Sequence, residues 1–78
     1  MQVKVLLNTV EKIKEFVTVT SDAPFDVDLI SNNRTYLDAK SLLGILSCDI
    51  LNPFVLDIHT EENNCSDYVN HIAGFLAE

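Results

Sequence analysis

The order of apolar spacings is the strongest constraint on the fold of this 78-residue chain. Apolar residues at every second position indicate strands, and apolar residues three and four positions apart indicate helices. From the first residue to the last, the two spacings predict the order β-α-β-β-α-β-α. Alternation predicts that the following strand residues face inward: Val3, Val5, Leu7, Phe25, Val27, Leu29, Phe54, Leu56 and Ile58.

The first helix has both a predicted start and a predicted end. Asn8 with Glu11 three residues later forms a capping-box-like pattern, which predicts that Asn8 is the N-cap. Residues 17–20 have strand propensity, but the helical spacing overlaps them, so we extend the helix through this stretch. Residues 21–24 contain Ser, Asp and Pro and are expected to end it. The apolar stripe of this helix is predicted to comprise Val10, Ile13, Phe16, Val17 and Thr20.

Three further segments complete the predicted order. Residues 31–34 carry turn chemistry, because asparagine tolerates a positive φ, and they predict a hairpin into a strand over 35–37. The remaining predictions are a short helix from Ser41 to Ser47, a solvated turn over 61–64 and a final amphipathic helix from Ser66 through Leu76.

These elements predict an α+β domain that spans residues 1–78. Three apolar helical stripes are buried most simply against one face of a four-stranded antiparallel sheet. Polar residues alternate with the apolar ones along the strands, so the other face is expected to meet solvent. A ferredoxin-like domain shares the first six elements and is the alternative fold.

Charge and hydropathy exclude some classes of partner. Five basic against twelve acidic residues give a net charge of −7, which argues against direct binding to nucleic acid or to anionic membrane surfaces. No apolar run approaches the roughly 18 residues that a membrane helix needs, so no membrane insertion is expected. A basic face on another protein remains a possible partner.

The residue types that most often carry chemistry are predicted to be structural in this chain. Cys48 and Cys65 are expected to be reduced, partly buried thiols of a cytoplasmic protein. His59 and His71 do not open helices and have no carboxylate at metal-ligand spacing nearby. The carboxylates expected on solvated strand faces or in a turn are Asp26, Asp28, Asp57, Glu61 and Glu62. We therefore expect no catalytic residue, metal site, cofactor or small-molecule substrate.

The segment from Asp38 to Ser47, with the sequence DAKSLLGILS, is the most specific motif of the chain. Ser41 lies at the predicted start of a helix, where unpaired backbone N–H groups and the helix dipole favour a phosphate. The segment resembles the regulatory-serine region of HPr, the histidine-containing phosphocarrier of bacterial sugar phosphotransferase systems, where Asn-x-Lys-Ser-Ile-Met-Gly-x-Met-Ser is usual. HPr also has the predicted element order, as an open-faced antiparallel β-sandwich.

The phosphoacceptor half of the HPr pattern is missing. When Phe16 and Val17 are aligned with the Phe-Val pair of the family, Thr9 occupies the histidine position and Glu11 the arginine position. An alkyl hydroxyl is not a competent phosphoryl shuttle, and a carboxylate would repel the phosphate. The resemblance therefore implies a degenerate member without phosphocarrier or other enzymatic activity.

The resemblance implies a regulatory or protein-binding module in bacterial carbon metabolism. Its logic is similar to that of catabolite-repression HPr, which implies cytoplasmic location, a role in the regulation of sugar transport, and Ser41 as the phosphorylation site. By that analogy the partners are an HPr kinase/phosphorylase or a LacI-type transcriptional regulator. The expected partner surface comprises Lys40, Leu42, Leu43 and Leu46, with Cys48 beside them.

A second interpretation needs no phosphorylation. Ser41 is explained fully as a helix N-cap, a role for which Asp38 is the other candidate. The chain would then be a structural or oligomerisation module on an HPr fold.

Overall fold

The computed structural model describes residues 1–31, 34–61 and 64–77. The predicted elements form in the predicted order. They are β1 (Gln2–Val5), α1 (Val10–Ser21), β2 (Val27–Ser31), β3 (Thr35–Asp38), α2 (Leu42–Leu46), β4 (Phe54–Ile58) and α3 (Ser66–His71), followed by a 3₁₀ turn (Ala73–Phe75). The central turn residues Asn32 and Asn33, and Glu62 with Asn63 in the second predicted turn, lie outside the described residues. In the described ranges, no helix is both long enough and apolar enough to cross a membrane.

The four strands form one antiparallel sheet in the order β1-β4-β2-β3. The α+β class and the antiparallel four-stranded sheet are therefore confirmed. A ferredoxin-like sheet has its first and third strands in the centre. Here β4 and β2 are central and β1 and β3 lie at the edges, so the alternative fold is wrong.

The core lies between the sheet and the helices, as expected for an open-faced sandwich. Strand residues that alternation placed inward are buried, namely Val5, Val27, Leu29, Phe54, Leu56 and Ile58. Buried with them are the helix residues Ile13, Phe16, Ile45 and Tyr68, together with Ile72, which directly follows α3. On the outer face of the sheet, Ile30 is also buried, because it lies directly between Tyr36 and Val55 of the neighbouring strands.

Helix α1 begins one residue later than the sequence pattern predicted. Thr9 is the N-cap, and its Oγ1 accepts a hydrogen bond of 3.1 Å from the Lys12 backbone N–H. Asn8 instead accepts from the Lys12 ammonium at 3.2 Å through its Oδ1. Glu11 consequently lies in the first turn but does not complete a capping box. Val10 also differs from the prediction: its side chain is 46% exposed and lies outside the buried stripe.

The last helix is shorter than predicted, because its expected second half pairs with β1. Helix α3 ends at His71, and the segment after it turns back along the outer edge of β1. The Leu6 N–H donates to the Phe75 carbonyl at 2.8 Å, and the Ala77 N–H donates to the Lys4 carbonyl at 2.9 Å. These bonds satisfy backbone groups of an edge strand, which a continued helix would leave unpaired.

Candidate functional site

Ser41 is the N-cap of α2, as the sequence pattern predicted. Its Oγ accepts a hydrogen bond of 3.2 Å from the Gly44 N–H, and its carbonyl accepts one from the Ile45 N–H. A Cβ atom at Gly44 would lie 3.2 Å from the Ser41 Oγ, so glycine leaves room for the capping hydroxyl. The hydroxyl of Ser41 is therefore half-buried and already engaged with the helix that it starts.

The residues before Ser41 form a turn that directs Lys40 away from it. The Asp38 Oδ1 accepts from the Lys40 N–H at 2.9 Å, and the Asp38 carbonyl accepts from the Ser41 N–H at 2.9 Å. Asp38 thus supports the turn, and Ser41 is the cap. The Lys40 ammonium donates to the Ala23 carbonyl at 3.1 Å. It therefore holds the connection between α1 and β2 and does not bond to the Ser41 hydroxyl.

One side of α2 is buried and the other carries exposed leucines. Ile45 is fully buried and Leu42 is half-buried against the core, whereas Leu43 is 80% exposed and Leu46 is 38% exposed. Leu51, in the connection that follows α2, is 74% exposed. We call Leu43 and Leu46, both of which the sequence analysis singled out, the α2 surface. Leu51 lies in a turn and belongs to no helical or strand periodicity, so its exposure was not predicted.

Cys48 contributes little to this surface. It is half-buried, and its thiol lies 3.7 Å from the Gly44 carbonyl, the geometry of a weak S–H donor. Cys65 is more deeply buried than predicted, at 1% exposure, and its thiol contacts the Met1 Sδ at 3.4 Å. Neither position resembles the exposed, electropositive environment of a reactive cysteine.

Thr9 starts α1, the place that the HPr alignment assigns to the missing histidine. Its hydroxyl caps the helix, as described above, and its side chain is exposed. Glu11 lies in the first helical turn and is exposed as well. Helices α1 and α2 pack against each other, so the starts of both helices belong to one helical layer.

His59 has carboxylate partners that its local sequence did not predict. Its Nε2 lies 2.8 Å from the Asp28 Oδ2 and 3.6 Å from the Asp57 Oδ2. Strand alternation placed all three residues on the outer face, but only the register of β2 and β4 brings Asp28 opposite Asp57. Within the described ranges, no group of three His, Cys, Asp or Glu residues is arranged to hold a metal ion. The contact between His59 and Asp28 is therefore a partly exposed surface hydrogen bond of low energetic weight.

A cavity of about 280 Å³ lies between the end of α1 and α3. Its lining includes Val19, Asp22, Ala23, Pro24, Tyr68 and His71. Burial raises the pKa of Tyr68, and a hydrogen bond of 2.8 Å to the Thr20 hydroxyl opposes part of that rise. His71 ends α3, and its Nδ1 lies 2.7 Å from the Asp67 carbonyl oxygen. Tyr68 and His71 are thus both hydrogen-bonded to groups of the helices that border the cavity.

Comparisons with known proteins provide no relative from which to assign a role. No family model matches the chain. No curated protein and no solved structure is significantly similar to it. The function has to be argued from the chain's own residues.

Proposed function

We propose that this chain is a non-catalytic protein-binding module on an HPr-like fold, with Ser41 as a regulatory phosphorylation site. The observation that carries the proposal is the position of Ser41. It caps a short helix whose outer side exposes Leu43 and Leu46 to solvent. A charge added at Ser41 would lie at the start of the helix that carries Leu43 and Leu46.

The architecture supports the HPr comparison beyond the motif. The four-stranded antiparallel sheet, with helices packed on one face, is compatible with an open-faced sandwich of the HPr type. Thr9 caps α1 at the place where a phosphocarrier would need its histidine, with Glu11 in the first turn. These two residues support a role other than phosphoryl transfer.

Phosphorylation would change the charge and the hydrogen bonding of the α2 N-terminus together. A phosphate adds nearly two negative charges and three acceptor oxygens. The Ser41 Oγ, which now accepts from the Gly44 N–H, would become the bridging ester oxygen, and the three phosphate oxygens would compete with it for that N–H. Lys40 would have to leave the Ala23 carbonyl to pair with it, and Asp38 would repel it. The modification therefore favours a partner that supplies its own cations at this surface.

We propose partners of two kinds by analogy with the family. An HPr kinase/phosphorylase would modify Ser41, and a LacI-type transcriptional regulator would bind the modified surface. The setting would be catabolite repression and sugar-transport regulation in a bacterial cytoplasm.

The first experiment is intact-mass measurement after incubation with ATP and an HPr kinase/phosphorylase. Ser41→Ala should abolish the added phosphate. Ser47→Ala is the matched control, because Ser47 is an exposed serine at the other end of the same helix. A single phosphate that is lost only in Ser41→Ala supports the proposal. An unmodified chain in the presence of excess active kinase would contradict it.

The alternative function is a structural or oligomerisation module in which Ser41 acts only as a cap. The 3.2 Å bond from the Gly44 N–H to Ser41 favours this alternative, since it explains the serine by itself. Ser41→Asp separates the two functions. Partner binding should change if Ser41 is regulatory. If Ser41 is only a cap, binding stays constant and stability shifts by at most about 1 kcal/mol.

A further inference from the structure

The two edges of the sheet are treated differently by the chain. The outer edge of β1 is covered by the C-terminal segment, through Phe75, Leu76 and Ala77. The outer edge of β3 pairs with no other strand in the described part of the chain. Uncovered edge strands present unpaired backbone groups and are templates for pairing with another strand. Residues Thr35–Asp38 include no proline that would block such pairing.

The hydrogen-bond phase of β3 determines which backbone groups face outward. The Ala39 N–H donates to the Val27 carbonyl at 3.0 Å. Because hydrogen-bonded residues alternate along an antiparallel strand, residues 35, 37 and 39 direct their backbone N–H and C=O groups to β2. Tyr36 and Asp38 therefore direct their N–H groups away from the sheet. The Arg34 carbonyl also points outward, because it is opposite to the following N–H in a trans peptide.

Two further backbone groups near this edge are already satisfied. The Asp38 carbonyl accepts from the Ser41 N–H at 2.9 Å, and the Arg34 N–H donates to the Ser31 carbonyl at 3.0 Å. The groups left on the edge are the Tyr36 N–H, the Tyr36 carbonyl, the Asp38 N–H and the Arg34 carbonyl. These are two N–H donors and two carbonyl acceptors. They are spaced symmetrically about Tyr36, since Arg34 lies two residues before it and Asp38 two residues after it.

We propose that β3 pairs with β3 of a second copy of this chain, antiparallel, about a twofold axis at Tyr36. Each Tyr36 N–H then donates to the Tyr36 carbonyl of the other copy. Each Asp38 N–H donates to the Arg34 carbonyl of the other copy. Every outward group of the edge finds a partner, and the two sheets become one continuous sheet. The interface is isologous, as in most homodimers.

Side chains select this register over its neighbours. With the axis at Tyr36, Arg34 lies opposite Asp38 of the second copy, and opposite charges across a strand pair are stabilising. An axis at Asp38 would place two aspartates face to face, and an axis at Arg34 would do the same with two arginines. Tyr36 is 65% exposed and ends an outer-face row with Ile30 and Val55. Pairing continues that apolar row into the second copy.

The net charge of the chain limits the expected affinity of the two copies for each other. Each copy carries −7, so the two chains repel each other at long range. The pairing strand has four residues, which is short for an interface. The dimer is therefore expected to be weak and concentration-dependent. It uses neither the α2 surface nor a phosphate, so its presence or absence does not bear on the proposed role of Ser41.

Sedimentation equilibrium over a range of concentrations tests the pairing. Arg34→Glu should raise the dissociation constant of the dimer at least about tenfold, because two symmetric ion pairs become repulsive. Lys4→Glu is the matched control: it makes the same charge change at an exposed residue of β1, the covered edge. The Lys4→Glu dimer should keep its dissociation constant within about twofold of the unmodified chain.

Amide hydrogen exchange gives a backbone readout. The Tyr36 and Asp38 amides should exchange more slowly as concentration rises. Tyr36→Pro should abolish the dimer and preserve the monomer fold, since the lost N–H bonds to no group of β2. A chain that is monomeric up to about 1 mM would overturn the proposal. So would a dimer that survives Arg34→Glu unchanged and leaves the Tyr36 amide unprotected.

Discussion

The hydrogen bond between Thr20 and Tyr68 is the best place to test the energetics of this fold. The two hydroxyl oxygens lie 2.8 Å apart, and the bond links the end of α1 to α3. Thr20 is fully buried and Tyr68 is 7% exposed. In the described ranges, no buried side-chain nitrogen or oxygen lacks a hydrogen-bond partner. Removing one hydroxyl of this pair would introduce such a group.

The expected loss of unfolding free energy follows from leaving one hydroxyl of this pair without its partner. Tyr68→Phe keeps the ring and its edge contact with Phe25 at 5.5 Å, so the hydroxyl is the main loss. A buried hydroxyl left without a partner costs about 1–3 kcal/mol, and we expect a loss near 2 kcal/mol of unfolding free energy. Thr20→Val should cost about 1 kcal/mol or more, because it leaves the Tyr68 hydroxyl without its partner. The double variant should lose at least about 1 kcal/mol less than the sum of the singles.

The pH dependence has a definite sign. Burial raises the pKa of Tyr68 in the folded chain above its ordinary value of 10.0, so the folded state binds the phenolic proton more tightly. The resulting stability is fully present below the unfolded pKa and is lost as pH rises through the folded pKa. In that window the unfolding free energy should fall by up to about 1.4 kcal/mol per pH unit from this group. The slope contributed by Tyr68 should be absent in Tyr68→Phe.

The assay is urea unfolding followed by circular dichroism, near pH 7 and again above pH 10. Tyr36→Phe is the matched control, since it removes the hydroxyl of the exposed tyrosine and should leave stability within about 0.5 kcal/mol. Single losses that add without coupling would refute the reasoning. They would mean that the Thr20 hydroxyl finds another acceptor, as Thr18 does when it donates to the Lys14 carbonyl.

Three further outcomes are expected. Thr9→Ala should cost about 1 kcal/mol of unfolding free energy and Asn8→Ala less than half of that, because Thr9 is the cap of α1; urea unfolding compares them. Truncation after Phe75 should uncover the edge of β1 and increase aggregation measured by light scattering, whereas equal solubility would contradict the covering role of the C-terminal segment. His59→Gln should change stability by less than about 1 kcal/mol in urea unfolding, since the side chains of His59 and Asp28 are 47% and 35% exposed.

Features set by neighbouring residues could be predicted from the sequence. Alternation identified the inward faces of β2 and β4, and the position of Ser41 before an apolar turn identified the cap of α2. Capping depends on atoms three residues apart, and strand alternation depends on the backbone itself, so both leave a local pattern. A local pattern places a helix cap only to within one residue, as the shift of the α1 cap from Asn8 to Thr9 shows. The reason is that adjacent polar side chains compete for the same backbone N–H groups.

Features that join distant segments became visible only in the folded chain. The strand order, the contact of His59 with Asp28 and the open edge of β3 depend on which strands become neighbours. The end of α3 at His71 is explained by pairing of the last residues with β1, about seventy positions earlier. Lys40 likewise bonds to Ala23 across the connection between two elements. Such contacts leave no periodic pattern, because each is selected by the burial and hydrogen bonding of the assembled sheet rather than by neighbours along the chain.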